Sequence, residues 1–206
     1  MSENGMTYFL YGGALIGSYR HHGLVPWDDD VDVIMPFSHR LNLYRLLGSL
    51  HEDIIVSFHP VHYWKLYHKD GEVIRNVPWK YPFLDIFFYN KNETHIWDMA
   101  PQYKRSFVYP KYQIFPLRLR PFMGLSMFVP KDPKAVISKH YNISMCTSGG
   151  YAHRWERKIY STTVPCSWMQ PLFPFVERQT MHGGCNETLW YRDTLVGDFF
   201  DWGVSC

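Results

Sequence analysis

A dense acidic run is the feature of this sequence with the clearest chemical meaning. Four carboxylates, Asp28–Asp30 and Asp32, lie within five positions, and the apolar residues Val33–Met35 that follow are typical of a buried strand. Because like charges at the edge of a core repel one another, they need a cation nearby. Oxygen ligands without neighbouring Cys or His favour Mg²⁺ or Mn²⁺ over zinc. The run therefore indicates metal-assisted chemistry on a phosphate-bearing substrate.

The spacing within the run predicts which carboxylates bind the metal. If the run is extended, strand alternation places Asp28, Asp30 and Asp32 on one face and Asp29 on the other. Asp30 and Asp32 are nearest the predicted core and are the expected metal ligands, with Asp28 as a further or supporting ligand. A solvated acidic turn is the alternative, but the flanking apolar residues argue against it.

A further carboxylate, Asp85, lies inside the apolar run Phe83–Phe88. An unpaired carboxylate there would be costly to bury or would take up a proton. On a strand beside Asp30 and Asp32, Asp85 would complete a three-carboxylate metal site and could accept the proton of an attacking hydroxyl. The alternative is an edge-strand residue that faces solvent or pairs with an arginine.

Two glycines and two cations could serve a phosphate near these carboxylates. Gly12 and Gly13 precede a predicted helix, whose first backbone N–H groups could approach a phosphate. Alone this signal is weak, since it matches neither the P-loop nor the dinucleotide fingerprint. Arg20 could bind phosphate oxygens or, alternatively, neutralise the acidic run. Lys65 could contact a phosphate or leaving group; otherwise its stem covers apolar surface and its amine stays in water.

The apolar pattern predicts alternating short strands and helices. Strands are expected at Tyr8–Tyr11, Ile54–Phe58, His62–Tyr67 and Phe83–Phe88, a hairpin around Pro121–Gly124, and helices at Ala14–His22, from Ser38 onwards and from Asp132 to His140. Lys69–Glu72 is predicted to be a turn, and Asp132 the N-cap of the last helix. The segment from Met145 to Cys206 has no clear periodicity.

Composition sets the remaining limits. A length of 206 residues fits one sizeable core. The net charge of +2 excludes neither nucleic acid nor anionic ligands but gives no basic stripe, and no nucleic-acid partner is expected. No apolar run approaches the roughly 18 to 20 residues that cross a bilayer, and the first residues lack the features of a signal peptide.

Sequons and cysteines bear on the compartment. Sequons at Asn92, Asn142 and Asn186, with four Cys in the last third of the chain, favour the secretory pathway. The sequence does not choose among the three possible disulfide pairings. The alternative is four ordinary thiols in a cytosolic enzyme.

The motifs together resemble a known family. Gly12–Val33, in which a small-residue helix, Arg-His, Gly, Pro-Trp and the Asp run follow one another, resembles the signature of the LicD family, which includes fukutin and the fukutin-related protein. Tyr81–Phe87 is similar to the family's later Asp motif. Ile114–Leu117 and Val129–Pro133, running on to Asn142, resemble its C-terminal motif, and the tail beyond is unmatched.

The resemblance implies an α/β (α+β) nucleotidyltransferase-like fold, with a small mixed β-sheet flanked by helices. It also implies Mg²⁺-dependent (or Mn²⁺-dependent) transfer of a phospho-alcohol, such as phosphocholine or phosphoribitol, from a CDP-activated donor to a glycan hydroxyl, releasing CMP. By motif position, Asp30, Asp32 and Asp85 are the expected catalytic, metal-binding carboxylates, and Gly12 and Gly13 the expected phosphate-loop glycines.

Further expectations follow from the resemblance. Arg20 is expected to contact the donor phosphate. We expect a catalytic domain over residues 1–144 and an irregular, Cys-containing segment over 145–206, packed on the same domain. Membrane association is expected only through a segment absent from this sequence, and the location is the Golgi or ER lumen, with the cytoplasm as the alternative. Two other functions stay open: nucleotidyl transfer with loss of pyrophosphate, and a catalytically inactive module that binds a glycan or a transferase.

Overall fold

The structure, a computed structural model, describes residues 5–49, 52–59 and 63–206. Its α-helices are α1 (Gly12–His21), α2 (Arg40–Leu47), α3 (Lys111–Ile114) and α4 (Pro133–Ser138). The strands of its main sheet are β1 (Phe9–Leu10), β2 (Val31–Pro36), β3 (Ile54–Ser57), β4 (Trp64–Val73), β5 (Lys80–Lys91), β6 (His95–Asp98) and β7 (Val108–Pro110). The other strands are β8 (Arg118–Phe122), β9 (Leu125–Val129), β10 (Met145–Thr147), β11 (Tyr151–Ala152), β12 (Arg157–Lys158), β13 (Thr163–Pro165), β14 (Phe175–Met181), β15 (Gly184–Tyr191) and β16 (Thr194–Trp202).

The main sheet is mixed. Its order is β1-β2-β5-β4-β3, and β6 and β7 continue from the far end of β5. β2 and β5 run parallel, whereas the other neighbouring pairs are antiparallel. Leu10, Met35 and Ile86, one on each of three adjacent strands, are fully buried, and α1 packs on β2. The predicted α+β class, with a small mixed sheet and few helices, is therefore confirmed. No helix in the described ranges is both long and apolar enough to span a membrane.

Several local predictions are confirmed by the elements. The hairpin predicted around Pro121–Gly124 forms, with β8 and β9 paired antiparallel. Asp132 caps α4, because its side chain accepts a hydrogen bond from the backbone N–H of Ala135 at 2.9 Å. The predicted strand at Phe83–Phe88 forms the middle of β5, which extends further in both directions.

The turn predicted at Lys69–Glu72 is wrong. β4 continues to Val73, because it pairs with the long strand β5 on both sides of an irregularity between Tyr67 and Glu72. Gly71 lies within this irregular stretch, where an added Cβ would come 2.9 Å from the carbonyl oxygen of Tyr81. The stretch is thus an irregularity within a continuous strand. Glycine is common at such irregularities as well as in turns. His62, at the start of the predicted strand, lies outside the described residues.

The C-terminal segment is more regular than predicted. Residues 175–202 form a three-stranded antiparallel sheet, β14-β15-β16, instead of irregular chain. Two disulfides, Cys146–Cys166 and Cys185–Cys206, settle the pairing that the sequence left open. The sequence of these strands does not alternate regularly between apolar and polar residues, because charged side chains such as Glu187 occupy some of the buried positions.

A buried ionic network joins this sheet to the first part of the chain. The carboxylate of Glu187 accepts hydrogen bonds from His22 at 2.9 Å, from Arg120 at 2.5 Å and from Arg178 at 2.8 Å. Asp201 accepts a second bond from Arg120 at 3.0 Å. Burial alone would raise the pKa of Glu187, but these three partners lower it to about 2. The network ties the end of α1 and β8 to the C-terminal sheet, although the division of the chain at residue 144 stays a prediction.

Replacing Glu187 is expected to be strongly destabilising. Glu187→Gln leaves buried cations without their carboxylate, so we expect the free energy of unfolding at pH 7 to fall by about 3 kcal/mol in urea denaturation. In the wild type, the stabilisation from Glu187 is lost as the pH falls from 4.5 towards about 2, and the variant should lack that loss.

The matched control is Glu177→Gln on the neighbouring strand β14, where the side chain is exposed. It should change stability by no more than about 0.5 kcal/mol. Equal effects of the two substitutions would contradict a stabilising role for the network.

Candidate active site

Three charged residues form one row across adjacent strands of the main sheet. The parallel register of β2 and β5 pairs Asp32 with Asp85, and the antiparallel register of β4 and β5 pairs Lys65 with Asp85. Directly paired residues project from the same face of a sheet, so their side chains meet. The fold therefore brings two carboxylates of like charge side by side, with one ammonium beside them.

Asp30 joins this row from the loop before β2. The carboxylate oxygens of Asp30, Asp32 and Asp85 lie within 4.8 Å of one another, so they could hold a metal ion. Asp30 and Asp85 are buried and Asp32 is half-buried. β2 begins only at Val31, so the predicted strand alternation through the whole acidic run is wrong. The chain before Val31 is held by hydrogen bonds of the Asp side chains themselves, such as the one that Asp29 N–H donates to Asp28 at 3.2 Å.

Burial, and for Asp30 and Asp32 also the neighbouring carboxylates, raise the pKa values of the three carboxyls. Burial, followed by the charges of Asp28 and Asp85, raises the pKa of Asp30 to about 8. Burial and the charge of Asp30 raise the pKa of Asp32 well above its usual range. Burial raises the pKa of Asp85 to about 6, although Lys65 acts in the opposite direction. A divalent cation would relieve this repulsion, and a donor set of carboxylate oxygens fits Mg²⁺ or Mn²⁺.

The two glycines at the start of α1 give these carboxylates room. A Cβ on Gly13 would overlap an oxygen of Asp28, and a Cβ on Gly12 would lie 2.6 Å from an oxygen of Asp32. Gly12 also has φ +50°, a conformation that favours glycine. The glycines thus allow the helix start to approach the acidic run, and their predicted role as a phosphate loop stays a prediction. Asp28 is half-buried and burial raises its pKa, while its role as a further or supporting ligand stays a prediction.

Arg20, the predicted phosphate contact, is buried in the last turn of α1. Its guanidinium donates hydrogen bonds to the carbonyl of Met145 at 3.2 Å and to the ring of His21 at 3.2 Å, and contacts the sulfur of Cys166 at 3.3 Å. Within the described ranges it has no carboxylate in ion-pair distance. Burial lowers the pKa of Arg20 to about 10, which leaves the side chain charged at neutral pH. Its geometry therefore suits an anionic ligand better than neutralisation of the acidic run.

Lys65 is buried against the site instead of extending into water. Its ammonium donates to both oxygens of Asp85, at 2.8 and 2.9 Å, and lies 3.5 Å from the ring centre of Phe83. Asp85 consequently has a cationic partner in this structure. Asp85 is also buried, so the alternative that it faces solvent is wrong. A direct contact between Lys65 and a phosphate stays a prediction.

A hairpin from the C-terminal segment covers the acidic run. We call residues 151–158, which comprise β11, β12 and the turn between them, the covering hairpin. The carboxylate of Asp29 accepts hydrogen bonds from the backbone N–H groups of His153 and Arg154, at 3.2 and 3.0 Å. The ring of His153 lies 3.3 Å from Asp30, and these two residues with Asp29 form a second group that could hold a metal. Sequence reasoning missed this hairpin, because its segment shows no periodicity that predicts its position.

The carboxylates line a cleft of about 510 Å³. Gly13, Arg20 and Trp27 line it from the first part of the chain. Its other side is formed by later residues, including Tyr141, Asn142, Met145, Thr147, Ser148, Gly149, Gly150, His153 and Ser161. The cleft thus opens between the predicted catalytic part and the C-terminal segment.

A mixed sheet with paired carboxylates on two central strands, at the wall of a cleft, defines an α+β protein with a candidate divalent-cation site. Residues 5–132 match the family described as LicD/FKTN/FKRP, nucleotidyltransferase domain. The chain belongs to this family, as the resemblance of its motifs predicted.

Individual relatives include two whose names agree with this assignment. An uncharacterized protein of Rickettsia prowazekii is 25% identical over 152 residues, which cover 68% of this chain and 49% of the relative. Ribitol-5-phosphate transferase FKTN of Mus musculus is 26% identical over 150 residues, covering 68% and 30%. Lipopolysaccharide cholinephosphotransferase LicD of Haemophilus influenzae is 60% identical over 30 residues, covering 15% and 11%. The chain spans about half or less of the length of these relatives.

The raised pKa of Asp30 predicts how metal-free protein responds to pH. Between the usual pKa of 3.8 and about 8, folded protein keeps the Asp30 proton that unfolded protein releases, so stability should fall as the pH rises. Mg²⁺ requires the deprotonated carboxylate, so it should raise the Tm more at pH 8 than at pH 5. Scanning fluorimetry with EDTA or MgCl₂ measures both effects. Asp30→Asn should weaken both the pH dependence of stability and the rise in Tm with Mg²⁺. The control, Asp193→Asn at an exposed position, should change neither effect. The same response in Asp30→Asn and the wild type would contradict the role of Asp30 in these effects.

Adding a methyl group at Gly13 should disturb the acidic run. Gly13→Ala forces the Asp28 carboxylate away from the helix start, and we expect it to cost about 1–3 kcal/mol in urea denaturation and to weaken Mg²⁺ binding in calorimetric titration. Gly150→Ala is the control at the other side of the cleft, since its Cβ would have no neighbour nearer than 3.9 Å. If Gly13→Ala behaved like this control in both measurements, glycine would not be needed at position 13 for the start of α1 to lie close to Asp28.

Proposed function

We propose that this chain transfers a phospho-alcohol group, such as phosphocholine or phosphoribitol, from a CDP-activated donor to a glycan hydroxyl and releases CMP. One observation carries the proposal: Asp30, Asp32 and Asp85 converge in a cleft that Arg20 also lines, and among the described residues no carboxylate lies within ion-pair distance of its guanidinium. The names of two relatives support the reaction class, since one is a cholinephosphotransferase and another a ribitol-5-phosphate transferase.

The carboxylates are suited to a hard divalent cation. Asp30, Asp32 and Asp85 would hold Mg²⁺ or Mn²⁺, with Asp28 as a further or supporting ligand. When bound, the cation supplies positive charge to the transferring and leaving phosphate oxygens. Its charge would also offset the burial and the mutual repulsion that raise the pKa values of Asp30 and Asp32.

The chain's own residues would position the reacting groups. Arg20 binds phosphate oxygens of the donor, and the backbone N–H groups that follow Gly12 and Gly13 face the same phosphates. The acceptor hydroxyl attacks the phosphorus that bears the alcohol, and an oxygen–phosphorus bond forms as the bond to the CMP oxygen breaks. The hydroxyl proton passes to Asp85 or to a neighbouring carboxylate. CMP then leaves as the phosphate monoester.

We further propose a location in the Golgi or ER lumen. The disulfides Cys146–Cys166 and Cys185–Cys206 support an oxidising compartment, because such bonds are rare in the cytosol. A glycan acceptor, and the absence of a nucleic-acid partner, belong to the same proposal.

Screening CDP-choline, CDP-ribitol and CDP-glycerol for metal-dependent CMP release tests the function. Asp30→Asn and Asp32→Asn should lower CMP release by at least about 100-fold, because each removes charge at the site of phosphate transfer. Circular dichroism should show that both variants stay folded. The exposed Asp193→Asn is the control and should keep wild-type activity. CMP release at the wild-type rate by Asp30→Asn or Asp32→Asn would contradict the catalytic role of that residue.

Two outcomes would favour other functions. Release of pyrophosphate from CTP, without CMP, would indicate nucleotidyl transfer. Binding of a glycan or transferase, with no CMP release and no thermal shift on adding CDP or CMP with Mg²⁺, would indicate a catalytically inactive binding module.

A further inference from the structure

The ammonium of Lys65 would compete with a cation bound by Asp85. It donates to both oxygens of Asp85, and both side chains are only 4% exposed. Asp85 is at the same time one of the three carboxylates whose oxygens converge within 4.8 Å. A divalent cation there would repel the nearby ammonium strongly, because the site is buried and poorly screened. Metal binding therefore requires a new partner for Lys65.

A second carboxylate lies next to the same ammonium. Oε1 of Glu156, in the covering hairpin, is 3.7 Å from Nζ of Lys65. In the described part of the chain, Asp85 and Glu156 are the two carboxylates within ion-pair distance of Lys65. The rings of Tyr63 and Trp79 border the ammonium, each with its centre 5.1 Å away. A short movement of the lysine side chain along these rings would exchange one carboxylate for the other.

The position of Glu156 is set by several independent contacts. Trp79 donates a hydrogen bond to Oε1 and Tyr151 donates one to Oε2, both at 2.9 Å. The side chain is 12% exposed. Its backbone has φ +47°, a conformation that residues other than glycine adopt at a cost and that tends to occur at functional sites. The bonds from the hairpin backbone to Asp29 hold the same turn in place.

We propose that Glu156 is a positioning residue that receives the ammonium of Lys65 when a divalent cation binds Asp85. The inference rests on the proposed function only in requiring a cation at the carboxylate site. Lys65 changes partner, and Asp85 exchanges an ammonium for the cation. Without Glu156, the displaced ammonium would lie buried beside the cation with no counter-charge, which is strongly unfavourable. Glu156 therefore makes metal binding easier without touching the metal.

A double-mutant cycle tests this coupling. Glu156→Gln keeps the size of the side chain and an acceptor for Trp79, but removes the charge. We expect it to weaken Mg²⁺ binding about tenfold in calorimetric titration, and Mn²⁺ binding similarly in electron paramagnetic resonance. Lys65→Met removes the ammonium, so in that background Glu156→Gln should change Mg²⁺ affinity less than about twofold. Glu156→Asp keeps the charge and should restore most of the affinity.

The matched control is Glu72→Gln, which removes the carboxylate that pairs with Arg154 of the same hairpin at 2.9 Å. It loosens the hairpin without changing the charge next to Lys65, so it should leave Mg²⁺ affinity at the wild-type value. The inference is overturned if Glu156→Gln binds Mg²⁺ like the wild type, or if it weakens binding equally with and without Lys65. Wild-type protein that binds no divalent cation would overturn both the inference and the proposed function. Wild-type protein that binds Mg²⁺, with either of the two results above for Glu156→Gln, would overturn the inference alone.

Discussion

Two carboxylates of like charge, Asp32 and Asp85, are directly paired on neighbouring strands, and much of the local structure follows from the cost of placing them there. Glycines at the start of α1 leave space for the acidic run. Lys65 continues the row on the next strand and compensates one of the charges. The site fits a hard divalent cation, because burial and mutual repulsion disfavour the charged forms of Asp30 and Asp32 and a cation would offset both.

The sequence was informative wherever a chemical signal stood next to a clear apolar pattern. The acidic run before an apolar strand and the single carboxylate in Phe83–Phe88 were sufficient to bring Asp30, Asp32 and Asp85 together as one site. The partner of Lys65 could not be predicted, since it depends on the register between β4 and β5. His153 and Glu156 gave no signal at all, because they reach the site through a turn in a segment without periodicity.

The lack of a clear apolar pattern also explains why the C-terminal sheet was not predicted. Its strands pair regularly, but the charged residues Glu187 and Asp201 occupy buried positions. Apolar residues at those positions would have produced the alternating pattern by which a strand is recognised in a sequence. The family match ends at residue 132, while the cleft is closed by residues 137–161. The carboxylate row and the wall opposite it therefore lie in separate parts of the sequence, and a relative that shares the first does not have to share the second.

The Cys146–Cys166 disulfide has a consequence beyond stability. It closes a loop with a sequence separation of 20, and the covering hairpin lies entirely inside that loop. Reduction would free the chain on both sides of the hairpin and increase the conformational entropy that must be overcome to dock it. The carboxylate that Glu156 presents to Lys65 and the ring that His153 presents to Asp30 are thus anchored by an oxidised bond. A chain that folds before this bond forms would have its acidic row in place but its cover untethered.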